Sequence, residues 1–106
     1  MSETDNGKDF EIQPGDLISV RLVENPTTGY KWRVLPIDRL IVTPQDSEFL
    51  IDSGSGIGGG GVRTFVFEAK APGTTTIKLQ LERPWEKNNA INRFEATLLV
   101  KEKALG

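Results

Sequence analysis

The 106-residue chain contains no cysteine and no histidine. The first absence excludes a disulfide framework, a catalytic thiol and a cysteine-ligated zinc site; the second excludes a Ser-His-Asp triad and ordinary zinc catalysis. Stability must therefore come from packing alone, and no cofactor or metal is expected. The fifteen Asp and Glu residues are scattered, so nothing places two of them across a cleft for acid-base work. Positive charge is also in short supply: the net charge of −2 provides no basic field for phosphates, and nucleic acid is not an expected partner. No run approaches the roughly 18 apolar residues of a membrane span, and Met1 to Lys8 is polar with no signal-peptide core. A soluble protein without a membrane partner is expected, cytoplasmic or the mature form of an exported chain, since a cysteine-free fold is indifferent to redox compartment.

What is present is one domain's worth of residues, with a hydrophobic fraction of 37% that suffices for a single core. After a flexible polar tail at 1–8, one domain is expected over 9–103. Strict alternation of apolar and polar residues recurs along it, which is the period of half-buried strands. Phe10 and Ile12 mark a short first strand, ended by Pro14-Gly15-Asp16. Ile18, Val20 and Leu22 then share one face, as do Tyr30, Trp32 and Val34 after the next turn. The segment 39–52 reads as one irregular strand kept at a sheet edge, because Pro44 has no N–H for a ladder. Phe65, Phe67 and Ala69, then Ile77, Leu79 and Leu81, then Phe94, Ala96, Leu98 and Val100 complete the set. Seven to eight short strands without a convincing helix predict an all-β, immunoglobulin-like antiparallel β-sandwich.

Strand parity sorts the connections. If successive strands alternate in direction, the compact Pro-Gly turns at Pro14-Gly15 and Pro72-Gly73 fall at one end and three unusual loops at the other. The first is Asn25-Pro26-Thr27-Thr28-Gly29-Tyr30. Pro26 fixes its own φ and biases Asn25 toward extended backbone, while Gly29 permits a positive φ, so the turn is ordered before anything touches it. The second loop holds six glycines in the eight residues from Gly54 to Gly61. Its literal G-x-G-x-x-G at Gly54, Gly56 and Gly59 is not a dinucleotide site, because a β-run with Phe65 and Phe67 follows where a helix is required. A mobile loop whose bare backbone lies close to a partner fits better. The third is Arg83-Pro84-Trp85, beyond the end of a strand; Trp and Arg are enriched at interface hot spots, and Pro84 restricts the loop that presents the ring.

Together these motifs resemble the chagasin-like inhibitors of papain-like cysteine proteases. The pattern is N-P-T-T-G-[YF] with a Trp two residues on, a glycine-rich loop before F-x-F, and R-P-W before an R-F strand. It stands here as Asn25 to Tyr30 with Trp32, Gly56 to Gly61 with Phe65 and Phe67, Arg83-Pro84-Trp85, and Arg93-Phe94. The glycine loop departs from the pattern in having more consecutive glycines. The resemblance implies a monomeric, reversible, non-enzymatic inhibitor whose partner is a papain-like protease. It implies contacts through Asn25, Pro26, Thr27, Thr28, Gly29 and Tyr30 at the catalytic centre, through Gly56, Ile57, Gly58, Gly59, Gly60 and Gly61 along the substrate groove, and through Arg83, Pro84 and Trp85 on the opposite wall. The alternative is an immunoglobulin-like adhesion or protein-binding module without inhibitory activity, which would use an edge strand or a sheet face and would not need this loop set.

Overall fold

A computed structural model describes residues 1–51, 60–86 and 89–102. Among these residues seven strands follow one another as β1 (Lys8–Ile12), β2 (Leu17–Glu24), β3 (Lys31–Val34), β4 (Val42–Ile51), β5 (Gly61–Ala69), β6 (Gly73–Glu82) and β7 (Asn92–Val100). They form a four-stranded sheet in the order β1-β7-β6-β3 and a three-stranded sheet in the order β2-β5-β4. The alternation read from the sequence faces the two sheets toward each other. Ile18, Val20 and Leu22 of β2, Phe65, Phe67 and Ala69 of β5, Ile77 and Leu79 of β6, and Phe94, Ala96, Leu98 and Val100 of β7 are buried with Trp32 and Val42. Removing each large side chain of this kind from water contributes about 1.5–3 kcal/mol, which a chain without disulfides requires.

The pairing is antiparallel except that β1 runs parallel to β7. This departs from the expectation for the first strand. Parallel neighbours need a long crossover connection, and here all the intervening strands supply it. β4 lies at the edge of its sheet, as Pro44 required, and the register against β5 slips between Pro44 and Asp46. The missing N–H of Pro44 and the extra residue Gln45 thus produce a bulge that roughens the exposed edge.

Register also fixes where the connections lie. Glu24, the last residue of β2, and Ile51, the last of β4, both oppose Gly61 at the start of β5. In the other sheet Lys31 at the start of β3 opposes Glu82, and Leu81 opposes Asn92 at the start of β7. The strand ends that flank 25–30, 52–60 and 83–91 therefore lie at one end, as parity predicted. At the other end Gly15 and Asp16 exchange backbone hydrogen bonds with Ala69, and Lys70 donates to Ile41.

Residues 1–8, expected as a tail, make hydrogen bonds to both sheets. Arg21 N–H donates to the Met1 carbonyl at 2.7 Å, Val23 N–H donates to the Glu3 carboxylate at 2.7 Å, and Asn6 exchanges hydrogen bonds with Arg93 and Glu95 of β7. Lys8 already belongs to β1. These contacts run through backbone groups and short polar side chains, which carry no periodicity for a sequence reading to detect.

Candidate functional site

The loop from Asn25 to Tyr30 is built by its own short polar groups. Asn25 is extended, and its side-chain oxygen accepts from the N–H of Thr27 at 3.1 Å and from the Thr27 hydroxyl at 2.6 Å. This is a helix N-cap, and Pro26 behind it opens a single 3₁₀ turn with its φ already set. Thr28 N–H donates to the Asn25 carbonyl and Gly29 N–H to the Pro26 carbonyl, at 3.2 and 3.0 Å. The Thr28 hydroxyl donates to the Asn25 carbonyl and accepts from Tyr30 N–H. Gly29 closes the turn at φ +81°, where a Cβ would be strained. Pro26, Thr27 and Thr28 are exposed, whereas Asn25, Gly29 and Tyr30 are half-buried. Thr27 and Thr28 thus lie in the exposed part of the turn, and Gly29 is partly covered.

What covers Gly29 is Trp85. A Cβ on Gly29 would lie 2.6 Å from the end of the indole ring, so the ring rests on the bare backbone of the glycine. Trp85 is nevertheless 70% exposed, with most of its surface turned to solvent at the loop end. Arg83 makes the second link. Its Nε donates to the Thr28 carbonyl at 3.2 Å, and its guanidinium carbon stands 4.4 Å from the centre of the Tyr30 ring. Glu86 pairs with the guanidinium at 3.3 Å and also takes a hydrogen bond from the Asn89 amide. Two motifs separated by more than fifty residues thus form one unit.

Beneath them lies a buried carboxylate that the motif reading passed over. Glu24 is 1% exposed; one oxygen accepts from Trp32 N–H at 2.8 Å, and the other accepts from Arg63 Nε and Nη2 at 3.1 and 2.8 Å. The carboxylate joins β2 to β5 within one sheet and to β3 of the other. Trp32 returns a hydrogen bond from its indole N–H to the Val23 carbonyl at 2.9 Å. Alternation could have found this pair, because Ile18, Val20 and Leu22 point inward and the next position of that series is Glu24. Three apolar residues at this end also escaped the motifs: Val23, Leu50 and Ile91 are each more than half exposed.

Gly56, Ile57, Gly58 and Gly59 lie outside the described residues. Gly60 has open space around it, and Gly61 is buried opposite Glu24. Among the described residues, no group of three acidic, His or Cys side chains could hold a metal ion, and no helix is long and apolar enough to cross a membrane.

A model of the chagasin family of peptidase inhibitors, I42, matches residues 11–100, the span from β1 to the end of β7. The chain belongs to the chagasin family. Amoebiasin-2 of Entamoeba histolytica is 36% identical over 89 residues, covering 82% of this chain and 72% of that protein. Chagasin of Trypanosoma cruzi is 29% identical over 91 residues, covering 80% of this chain and 81% of its own. The crystal structure of the cysteine protease inhibitor EhICP2 from Entamoeba histolytica superposes with a TM-score of 0.86 at 25% identity, over 95% of this chain and 93% of that one. The structure of PbICP-C in complex with falcipain-2 shares the fold, with a TM-score of 0.72 at 16% identity over 91% of each chain. Membership of the chagasin family makes this chain a peptidase inhibitor, not an enzyme.

Proposed function

We propose that this chain reversibly inhibits papain-like cysteine proteases as a monomer, occluding the active-site cleft with the three loops at one end of the sandwich. The observation that carries the reading is the joining of the exposed 26–28 turn to Trp85 and Arg83 in one pre-ordered end. Ordering the 25–30 turn against Arg83 and Trp85 before contact removes an entropic cost that a flexible inhibitor would meet on binding. Thr27 and Thr28, supported by Asn25, Pro26, Gly29 and Tyr30, enter the catalytic centre. Residues Gly56 to Gly61, with Ile57, line one side of the groove, and Trp85 with Arg83 and Pro84 meets the other. The domain that does this spans 9–103 and buries about 1,600 Å² in total with its protease, the usual size for such complexes. The curated and solved relatives support the protease class. A fold without cysteine suits either a reducing or an oxidising compartment.

Titration of active papain with the protein tests the reading: a reversible fall in turnover to zero at one-to-one stoichiometry is expected, and full activity at micromolar inhibitor across several papain-like enzymes would overturn it. Trp85→Ala separates contact from folding. A side chain 70% exposed contributes little to the core, whereas truncating an interface tryptophan commonly costs ~2 kcal/mol or more, about thirtyfold in the inhibition constant. The expected outcome is an unchanged denaturation midpoint with that loss of inhibition. Equal losses in both would show that Trp85 serves the fold instead.

A further inference from the structure

A loop placed across the catalytic centre of a protease meets the chemistry that cuts loops. Papain-like cleavage needs an extended substrate whose carbonyl oxygen turns into an oxyanion site while the thiolate attacks the carbonyl carbon. In the 25–30 loop, the N–H groups of Thr27, Thr28 and Gly29 are all bonded inside the turn, to the Asn25 side chain, the Asn25 carbonyl and the Pro26 carbonyl. The Thr28–Gly29 peptide is held at both ends. Its N–H is fixed on Pro26, and its carbonyl oxygen accepts from Arg83 Nε at 3.2 Å. The guanidinium that holds this oxygen is itself seated over the Tyr30 ring and paired with Glu86. Within a single residue of this bond the indole of Trp85 covers Gly29.

We propose that Arg83 is a positioning residue that keeps the inhibitor from becoming a substrate: by holding the Thr28 carbonyl oxygen it denies that oxygen to the protease's oxyanion site. This rests on the inhibitory reading above and goes beyond it, because Arg83 acts through the 25–30 loop in addition to its place on the groove wall. Without the clamp, the thiolate adds to the Thr28 carbonyl carbon and the bond to Gly29 breaks, its nitrogen taking a proton to become a new amine. Water then releases the acyl fragment, so the two fragments together weigh the intact chain plus one water.

The test incubates wild type, Arg83→Ala and Arg83→Met with active papain and follows intact mass with time, alongside inhibition and thermal melting. Wild type is expected to stay intact while inhibiting. Both variants are expected to be cut at 28–29 roughly tenfold faster or more, the scale set by losing one hydrogen bond from a charged donor. Arg83→Met keeps an unbranched stem beside Tyr30 while removing the guanidinium, its bond to the Thr28 carbonyl and its pairing with Glu86, so it decides the matter if the alanine variant melts early. A generally loosened fold is also cut elsewhere and by thermolysin; cleavage of a Met variant in that scattered manner, or its survival intact with unchanged inhibition, overturns the proposal. If wild type itself fails to inhibit papain-like enzymes, the functional reading fails instead, and the two failures are distinct.

Discussion

Glu24→Ala is expected to lower the unfolding free energy by about 3–5 kcal/mol, the cost of leaving one partner of a buried ion pair behind. Two groups lose their acceptor at once. Trp32 N–H remains inside with nothing to bond, which alone costs about 1–3 kcal/mol. Arg63 is stranded between Glu24 and the Phe49 ring, 5.1 Å away, although its side chain is 23% exposed and can recover some water. That exposure places the effect toward the lower figure. Small domains have about 5–15 kcal/mol in total, so the loss is a large share of the whole. Urea denaturation of the two proteins measures it, and a difference under about 1 kcal/mol would contradict the role assigned to the carboxylate. Glu24→Gln keeps an acceptor for Trp32 and should fall between them.

Gly29→Val is expected to cost far more in inhibition than in folding. A side chain at φ +81° costs about 1–2 kcal/mol in backbone strain, more for a β-branched residue. The new Cβ also occupies space 2.6 Å from the indole, so Trp85 must leave its seat. Because the ring is largely in solvent, it can swing out without opening the core, and the fold survives. The inhibitory end does not survive as a unit: the tip loses its conformation and the tryptophan its place. A loss of at least ~2 kcal/mol for the tryptophan, with the strained turn added, predicts an inhibition constant raised by roughly 100-fold or more. Tight-binding titration against papain reads this directly; inhibition within threefold of wild type would mean that neither the turn nor the ring matters. Gly29→Ala should act in the same direction with less strain.

The sandwich was legible because its signal is periodic. Every second residue from Ile18 to Leu22, from Phe65 to Ala69 and from Phe94 to Val100 is apolar, and each such residue is buried. Pro44 announced an edge strand for the same elementary reason that it cannot donate a hydrogen bond. The loops were legible as chemistry: Asn-Pro and Gly set backbone angles locally, and the cap on Asn25 follows from them. Contacts between loops were not, because nothing in Arg83 says that its guanidinium will reach Thr28, and nothing in Gly29 says that an indole will lie on it. The parallel partnership of β1 with β7 was equally hidden, since it joins segments at opposite ends of the chain. Glu24 was a different failure: its inward position was implied by the strand's own alternation, but a charged residue after three apolar ones reads naturally as the end of the buried face.

The division between local and distant supports within the 25–30 turn bears on imitation of the loop by synthesis. A cyclised peptide carrying Asn-Pro-Thr-Thr-Gly-Tyr would bring its own cap, its own 3₁₀ turn and the hydroxyl bonds of both threonines, all of which arise within six residues. It would lack the cationic group on the Thr28 carbonyl and the aromatic plate on Gly29, which come from 83 and 85. Such a peptide would retain the outline of the tip but lose its bracing. A workable mimic must therefore be bicyclic, with a guanidinium and an indole carried on a second arm.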